Sequence, residues 1–406
     1  MADFGGESLE AFRTEVRGWL EANYPEELRK SDARTDPEAI WGGRPFIGSE
    51  DPQIVWMRRV ADKGWTAPTW PAAYGGGGLS RAKARVLAEE MARIGARNPI
   101  GGMGVMMFGP TLLEYGTEAL KRQHMPGIVN GSVRWCQGYS EPGSGSDLAS
   151  LQTRCEDKGD HWLVNGQKIW TSGANIADWC FCLVRTDTSK KHEGISFVLI
   201  NMHQPGVEVR PIRLIAGSSP FCETFFTDAR AEKDDMVGPL NGGWTVGKRL
   251  LQHERSGQGG SRMAGAGGPT LQDIAKRYIG EDAQGRLADP DLRMRLARHQ
   301  IDQRAHVLTV ARAAAEAKGN VDPSATTSVM KNSSTWVGQE RAELLVEIMG
   351  HQGLGWSGDD FQKDEIEAVR GWLSGKAWTI FGGSQEIQSN IVSKRILGLP
   401  DTTQAT

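Results

Sequence analysis

No stretch of this sequence stays apolar for the roughly 20 residues that a bilayer-spanning helix needs, so no membrane segment is expected. Cysteine is scarce: the five residues are odd in number, scattered, and lack the paired spacing of a zinc site. Cys180 and Cys182 stand two apart, and alternate residues of a strand point the same way, so they read as a strand face. Neither a metal nor a disulfide is expected. Strong net charge is missing too. At −3, with a pI near 6.3, the chain has no electrostatic reason to bind nucleic acid or an anionic membrane. The start of the chain lacks signal-peptide character, because Leu9, Phe12, Val16, Trp19 and Leu20 recur at helical spacing among charges. A cytoplasmic location is the expectation. Absent as well is any strand–helix alternation, which argues against a Rossmann domain despite 51 glycines.

What is present is a chain of 406 residues, too long for one ordinary core, so two or three domains are expected. Residues 1–134 read as helical, with helices over 8–20, 54–63, 81–95, 111–116 and 118–128. Between 135 and 240 the period changes. His161 to Trp170 reads as a β-hairpin turning at Asn165-Gly166, and 179–185, 195–201, 207–214 and 222–228 read as strands. From 241 to 406 the helical period returns, over 244–256, 291–317, 325–349, 362–379 and 385–397, implying a helical bundle.

Two segments could carry chemistry. Ser140-Glu141-Pro142-Gly143-Ser144-Gly145-Ser146-Asp147 is a tight polar loop whose glycines admit a ligand to the backbone and whose successive N–H groups can form an anion nest; taken alone it reads first as a plain turn between strands, since small Gly/Ser loops are common. Then Trp170-Thr171-Ser172 offers a broad aromatic face followed by two hydroxyls, the kind of surface an isoalloxazine ring requires. Together with Trp135 to Gly138, these segments resemble the acyl-CoA dehydrogenase family. The likeness extends through Gly64-Trp65, Trp70-Pro71 and Tyr74-Gly75-Gly76, Gly116 to Gly131, Glu347 to Gly355, and Phe381 to Pro400.

The resemblance implies an α+β multidomain fold: an N-terminal helical domain, a middle β-barrel-like domain and a C-terminal four-helix bundle, assembled as a homotetramer or a mixed tetramer with a related subunit. It implies FAD as cofactor, bound between the middle domain and the bundle, an acyl-CoA substrate, a place in fatty acid or other lipid metabolism, and an electron-transfer flavoprotein as acceptor. Carried over by position, Gln137, Tyr139, Ser140, Gly145, Ser146, Trp170, Thr171 and Ser172 would hold FAD from the middle domain. Glu347, Gly350, Ser384, Gln385 and Glu386 would hold it from the C-terminal domain. Ser146, Arg255 and Gly383 would touch the substrate. Ser384 also reads as the N-cap of the last helix, with Ile387, Ile391 and Ile396 as its apolar stripe.

The family reaction is α,β-desaturation: a carboxylate takes the α proton and the β hydrogen leaves as hydride to flavin N5. Many relatives place that carboxylate where this chain has Gly382. Glycine removes the base but keeps the N–H that would hydrogen-bond the thioester oxygen. Glu254, with Leu250 and Leu251 one turn before it, falls on or beside an apolar face and matches the base of branched-chain and long-chain members. Glycines 257, 259, 260 and 265, with Gly382, suggest a branched or ring-bearing acyl group. The chain departs from the family in having Glu347 where relatives often have Gln. It also lacks an Arg–Phe–Gly segment, for which Arg277 and Arg286 are the candidates. Arg293, Arg295 and Arg298 read as a solvated or subunit-facing helix side. Two other readings stay open: a flavin oxidase on the same scaffold, and a catalytically silent subunit of a mixed tetramer.

Overall fold

The computed structural model describes residues 6–29, 42, 51–261, 269–318 and 324–400. They fall into two compact units, 1–212 with 220–253, and 213–219 with 254–406.

The first unit opens with helices α1 (Gly6–Asn23), α2 (Glu26–Arg29), α3 (Pro52–Asp62), α4 (Arg81–Arg93), α5 (Gly109–Tyr115) and α6 (Glu118–Val129). Phe12, Val16 and Leu20 repeat every four residues on α1 and pack on Trp56 and Val60 of α3, Trp65, and Val86, Leu87 and Met91 of α4. Helix α3 starts where Asp51 accepts from the Gln53 N–H and Pro52 fills the first position, and α4 starts at a Ser80 cap. One charge lies inside this assembly. Glu90 of α4 is buried and held by Arg13, Arg17 and Arg93 at 2.8–3.0 Å.

Seven strands follow: β1 (Trp135–Gly138), β2 (Arg154–Asp157), β3 (His161–Ser172), β4 (Trp179–Arg185), β5 (Ile195–Asn201), β6 (Val207–Ile212) and β7 (Phe221–Glu232). They form one curled mixed sheet in the order β1-β4-β2-β3-β7-β6, with β5 on β4. Strand β4 is buried on both faces. Cys180, Cys182 and Val184 enter one core, while Phe181 and Leu183 enter another with Phe108, Trp135 and Phe197. All five cysteines are free and buried.

The expected hairpin at Asn165-Gly166 is not formed. β3 runs straight through these residues and pairs antiparallel with β7, with a register break between Val164 and Gly166. The Asn165 side chain serves the neighbouring strand instead, donating to Asp228 Oδ1 and accepting from the Asp228 N–H, both at 2.9 Å. Gly166 is required for a different reason: at φ +157°, a Cβ there would lie 2.6 Å from the Thr153 hydroxyl. The Asn-Gly pair thus makes a bulge in a long strand, where Thr153, just before β2, presses close.

Helix α7 (Gly243–Ser261) begins directly on β5, since a Cβ at Gly243 would come within 2.3 Å of the Ser196 carbonyl carbon. Leu250 is fully buried in the large core, and Leu251 packs at its edge.

The second unit holds α8 (Leu271–Ile279), α9 (Pro290–Lys318), α10 (Ser324–Met349), α11 (Lys363–Gly375) and α12 (Gln385–Ile391). Helix α8 had no counterpart in the sequence reading; a Thr270–Asp273 capping box starts it, and Leu271 and Ala275 meet Leu292, Leu296, Leu344 and Ile348. Helices α9 and α10 face each other through polar pairs. His299 contacts Glu340 at 3.0 Å and His306 contacts Ser333 at 2.7 Å, both histidines buried. Outward, α9 shows Met294, Ile301 and Leu308, spaced seven apart and 71%, 68% and 53% exposed. Among the described residues no helix is long and apolar enough to cross a membrane, and no group of side chains could hold a metal.

Candidate active site

The loop after β1 is built around one carboxylate. Glu141 and Ser144 exchange backbone hydrogen bonds at 3.0 Å, closing a tight turn over Pro142 and Gly143. Inside the turn, the Glu141 carboxylate accepts from the N–H groups of Gln152 (2.6 Å) and Thr153 (2.9 Å) and from Lys168 Nζ (2.8 Å). Burial pushes the Glu141 carboxyl up, but Lys168 and these donors more than offset it, leaving it below the usual carboxylate range. Gly143 and Gly145 have no positive φ, and a Cβ on either would meet no atom within 4 Å. Among the described residues nothing packs against these two positions, so their backbone is open to close approach.

Strand β3 delivers Trp170 to the same region, with Ile169 N–H donating to the Ser140 carbonyl at 2.9 Å. Trp170 is an outlier twice over: φ is +59°, and the indole is 53% exposed, touching Phe221 edge to face. A bulky residue in the left-handed region costs energy that the surrounding structure must supply, a signature of functional sites. Beside it, Thr171 is fully buried, and its Oγ1 has no partner among the described residues. An exposed aromatic plane, an unsatisfied hydroxyl and an open glycine loop suit a flat ring system with polar edges, so the residues fit the isoalloxazine of FAD.

The other expected residues of this unit have the following places. Tyr139 turns into the core, edge-on to Phe181 and Phe197, so its main chain is what it offers the loop. Gln137 lies within β1, while Gly145 and Ser146 are exposed on the loop and Ser172 ends β3. Lys168 was missed. Its signal was register: Trp162, Val164 and Thr171 fill buried positions of β3, and Lys168 is the one charged residue among them.

In the second unit, the turn before α12 is shaped by two left-handed glycines, Gly382 at φ +67° and Gly383 at φ +86°. A Cβ at Gly382 would meet nothing within 4 Å, whereas one at Gly383 would strike the Gln388 amide at 2.3 Å. That amide donates to the Gly382 carbonyl at 3.2 Å and fixes the turn. Ser384 caps α12 by accepting from the Ile387 N–H, with Gln385 and Glu386 in the first turn. Of the expected isoleucine stripe, Ile391 is half-buried while Ile387 and Ile396 are exposed, Ile396 lying beyond the end of α12; Gln388 is the buried side chain of this short helix. Glu347 is held by Arg295 in a two-pronged pair at 2.6 Å, and Gly350 ends α10 at φ +56°. Arg277 bonds Gln362 and Arg286 bonds Asp282.

Helix α7 carries Glu254 on its backbone. The side chains of Glu254 and Arg255 lie outside the described residues. The turn before them is anchored: Arg249 grips Glu114 of α5 at 2.7 and 2.8 Å, and His253 Nε2 reaches the same carboxylate at 3.2 Å. Burial and Arg249 lower the His253 pKa, which favours the neutral ring.

Three family models cover the chain: acyl-CoA dehydrogenase N-terminal domain over residues 6–132, middle domain over 136–229 and C-terminal domain over 241–397. The chain is 38% identical over 399 residues to the acyl-CoA dehydrogenase IpdE1 of Mycobacterium tuberculosis, covering 97% of this chain and 98% of that one. It is 30% identical to the solved Tcur3481-Tcur3483 steroid ACAD, covering 99% of this chain and all of that one, with a TM-score of 0.75. The ChsE4-ChsE5 complex from Mycobacterium tuberculosis aligns at 27% identity over 97% of this chain and 98% of that one, with a TM-score of 0.72. With three domain models matched in order along the chain and a relative 38% identical over nearly its whole length, the chain belongs to the acyl-CoA dehydrogenase family, as an oxidoreductase acting on an acyl-CoA.

Proposed function

We propose that the protein is an FAD-dependent desaturase of a bulky, ring-bearing acyl-CoA, with Glu254 as the base. The observation that carries this reading is the turn at Gly382. It holds no carboxylate, and its left-handed backbone with open space at the Cβ position leaves room beside the main chain. Bound FAD supplies the hydride acceptor for the β hydrogen. This chain's residues do the rest. The Glu254 carboxylate takes the α proton, and the Gly382 N–H donates to the thioester oxygen as enolate character develops. Trp170, Thr171 and Ser172 bind and orient the ring system, with Gln137, Tyr139, Ser140, Gly145 and Ser146 contributing along the loop. Ser384, Gln385 and Glu386 receive the adenosine diphosphate portion at the start of α12. Gly383 and Arg255 lie along the acyl-CoA.

A ring-bearing substrate is supported by the likeness to the Tcur3481-Tcur3483 steroid ACAD. A mixed assembly is supported by two relatives described by paired components. An electron-transfer flavoprotein is the proposed acceptor. The silent-subunit reading is favoured by one observation: Glu347, expected to contact FAD, is already committed to Arg295.

The test is an anaerobic titration of the yellow protein with straight-chain, branched and polycyclic acyl-CoAs, following flavin absorbance. Bleaching by the polycyclic ester, with slow recovery in air, is the expected result. Rapid recovery in air identifies an oxidase; absence of bleaching by every ester overturns the desaturase reading for the chain alone and is what the silent-subunit reading predicts.

A further inference from the structure

We propose that the buried Lys168–Glu141 ion pair is a positioning pair, which holds the 139–147 loop and the end of β3 in the shape that receives the flavin. This rests on the FAD reading above. Lys168 is 0% exposed, and its ammonium touches two acceptors, the Glu141 carboxylate at 2.8 Å and the Tyr139 carbonyl at 3.1 Å. The carboxylate also collects the N–H groups of Gln152 and Thr153. One pair therefore ties together the loop's entrance, its exit and the strand.

Position then links the pair to the site. Trp170 stands two residues beyond Lys168, and Ile169, between them, bonds the Ser140 carbonyl. The strained indole and the open glycine loop are thus attached to the same few bonds. A buried pair of charges is weak as a source of stability, since apolar residues of similar volume often do as well. What an apolar pair cannot do is satisfy the Tyr139 carbonyl and the Gln152 and Thr153 N–H groups while keeping the loop in one conformation.

The experiment uses the full chain in three variants: Lys168→Met, Lys168→Arg, and Lys168→Met/Glu141→Gln, the last leaving no buried charge unpaired. Two readouts are taken, the rate of flavin release and peptide-level hydrogen exchange. Lys168→Met and the double variant are expected to release flavin about tenfold or more faster. Exchange is expected to rise over 139–153 and 166–172 and stay unchanged over 195–201, a strand of the same sheet. Lys168→Arg should recover part of both. Flavin release within about twofold of the parent, with unchanged loop exchange, overturns the proposal. So does exchange rising equally over 195–201 in the double variant, which would make the pair a general core feature. A parent chain that binds no flavin overturns the cofactor reading instead, while the exchange comparison still reports on the loop.

Discussion

At the scale of single residues, the decisive positions are those whose surroundings contradict their type. Glu90 is a covered carboxylate ringed by three partly exposed arginines, and Arg17, Arg93 and Arg13 hold its pKa at about 2 against an ordinary 4.5. As pH falls the unfolded chain takes up this proton first. The contribution is complete above 4.5 and is lost as pH drops toward 2. Urea midpoints measured from neutral pH downward should show that loss, and Glu90→Gln should flatten it while costing about 3 kcal/mol at neutral pH. Position 382 works in reverse: a glutamate there would occupy a left-handed backbone, at a cost of about 1–2 kcal/mol. Gly382→Glu is expected to lower the thermal midpoint accordingly. Glu254→Gln should retain its flavin and its ligand affinity, yet slow flavin bleaching by about a thousandfold in stopped flow. Glu254 and Gly382 are proposed from local sequence patterns, and of the two only the left-handed turn at Gly382 lies among the described side-chain environments. Glu90 and Lys168 were not legible in the sequence, because their burial is created by partners far away in the chain: Arg13 and Arg17 lie more than seventy residues before Glu90.

At the scale of elements, helices were read closely where caps and periodicity agree, as at Ser80 for α4 and Thr117 for α6. The failures were cases in which a local rule met a non-local constraint. Asn165-Gly166 carries the hairpin signal, but β7 offers Asp228 as the better partner for Asn165, and Thr153 crowds Gly166. Replacing that glycine should therefore injure the sheet and spare any turn. Gly166→Val is expected to cost about 3 kcal/mol through overpacking against Thr153, read as a lower thermal midpoint. Helix α8 escaped notice because its nine residues follow a glycine-rich stretch and depend on Leu344 and Ile348 of α10 for their packing. β1 and β2, four residues each, were too short to show alternation.

At the scale of the whole molecule, the family was legible because its signatures occur in order along nearly the entire chain. The substrate's bulk was hinted at only by glycines, and the state of assembly by very little. Exposed Met294, Ile301 and Leu308 on α9 supply the missing argument, since a row of large apolar side chains in water marks an interaction surface. Light scattering on the eluting protein should report a multiple of the 44.3 kDa chain mass. Glutamate at all three positions is expected to shift that mass toward a single chain and leave far-ultraviolet dichroism intact.

The arrangement of α9, with histidines inside and aliphatics outside, has a practical corollary. Association through this face follows mass action, so dilution lowers the assembled fraction; a site completed across subunits would then lose turnover per molecule at low enzyme concentration and regain it on reconcentration. Rate constants collected at a single dilution would then mix chemistry with dissociation.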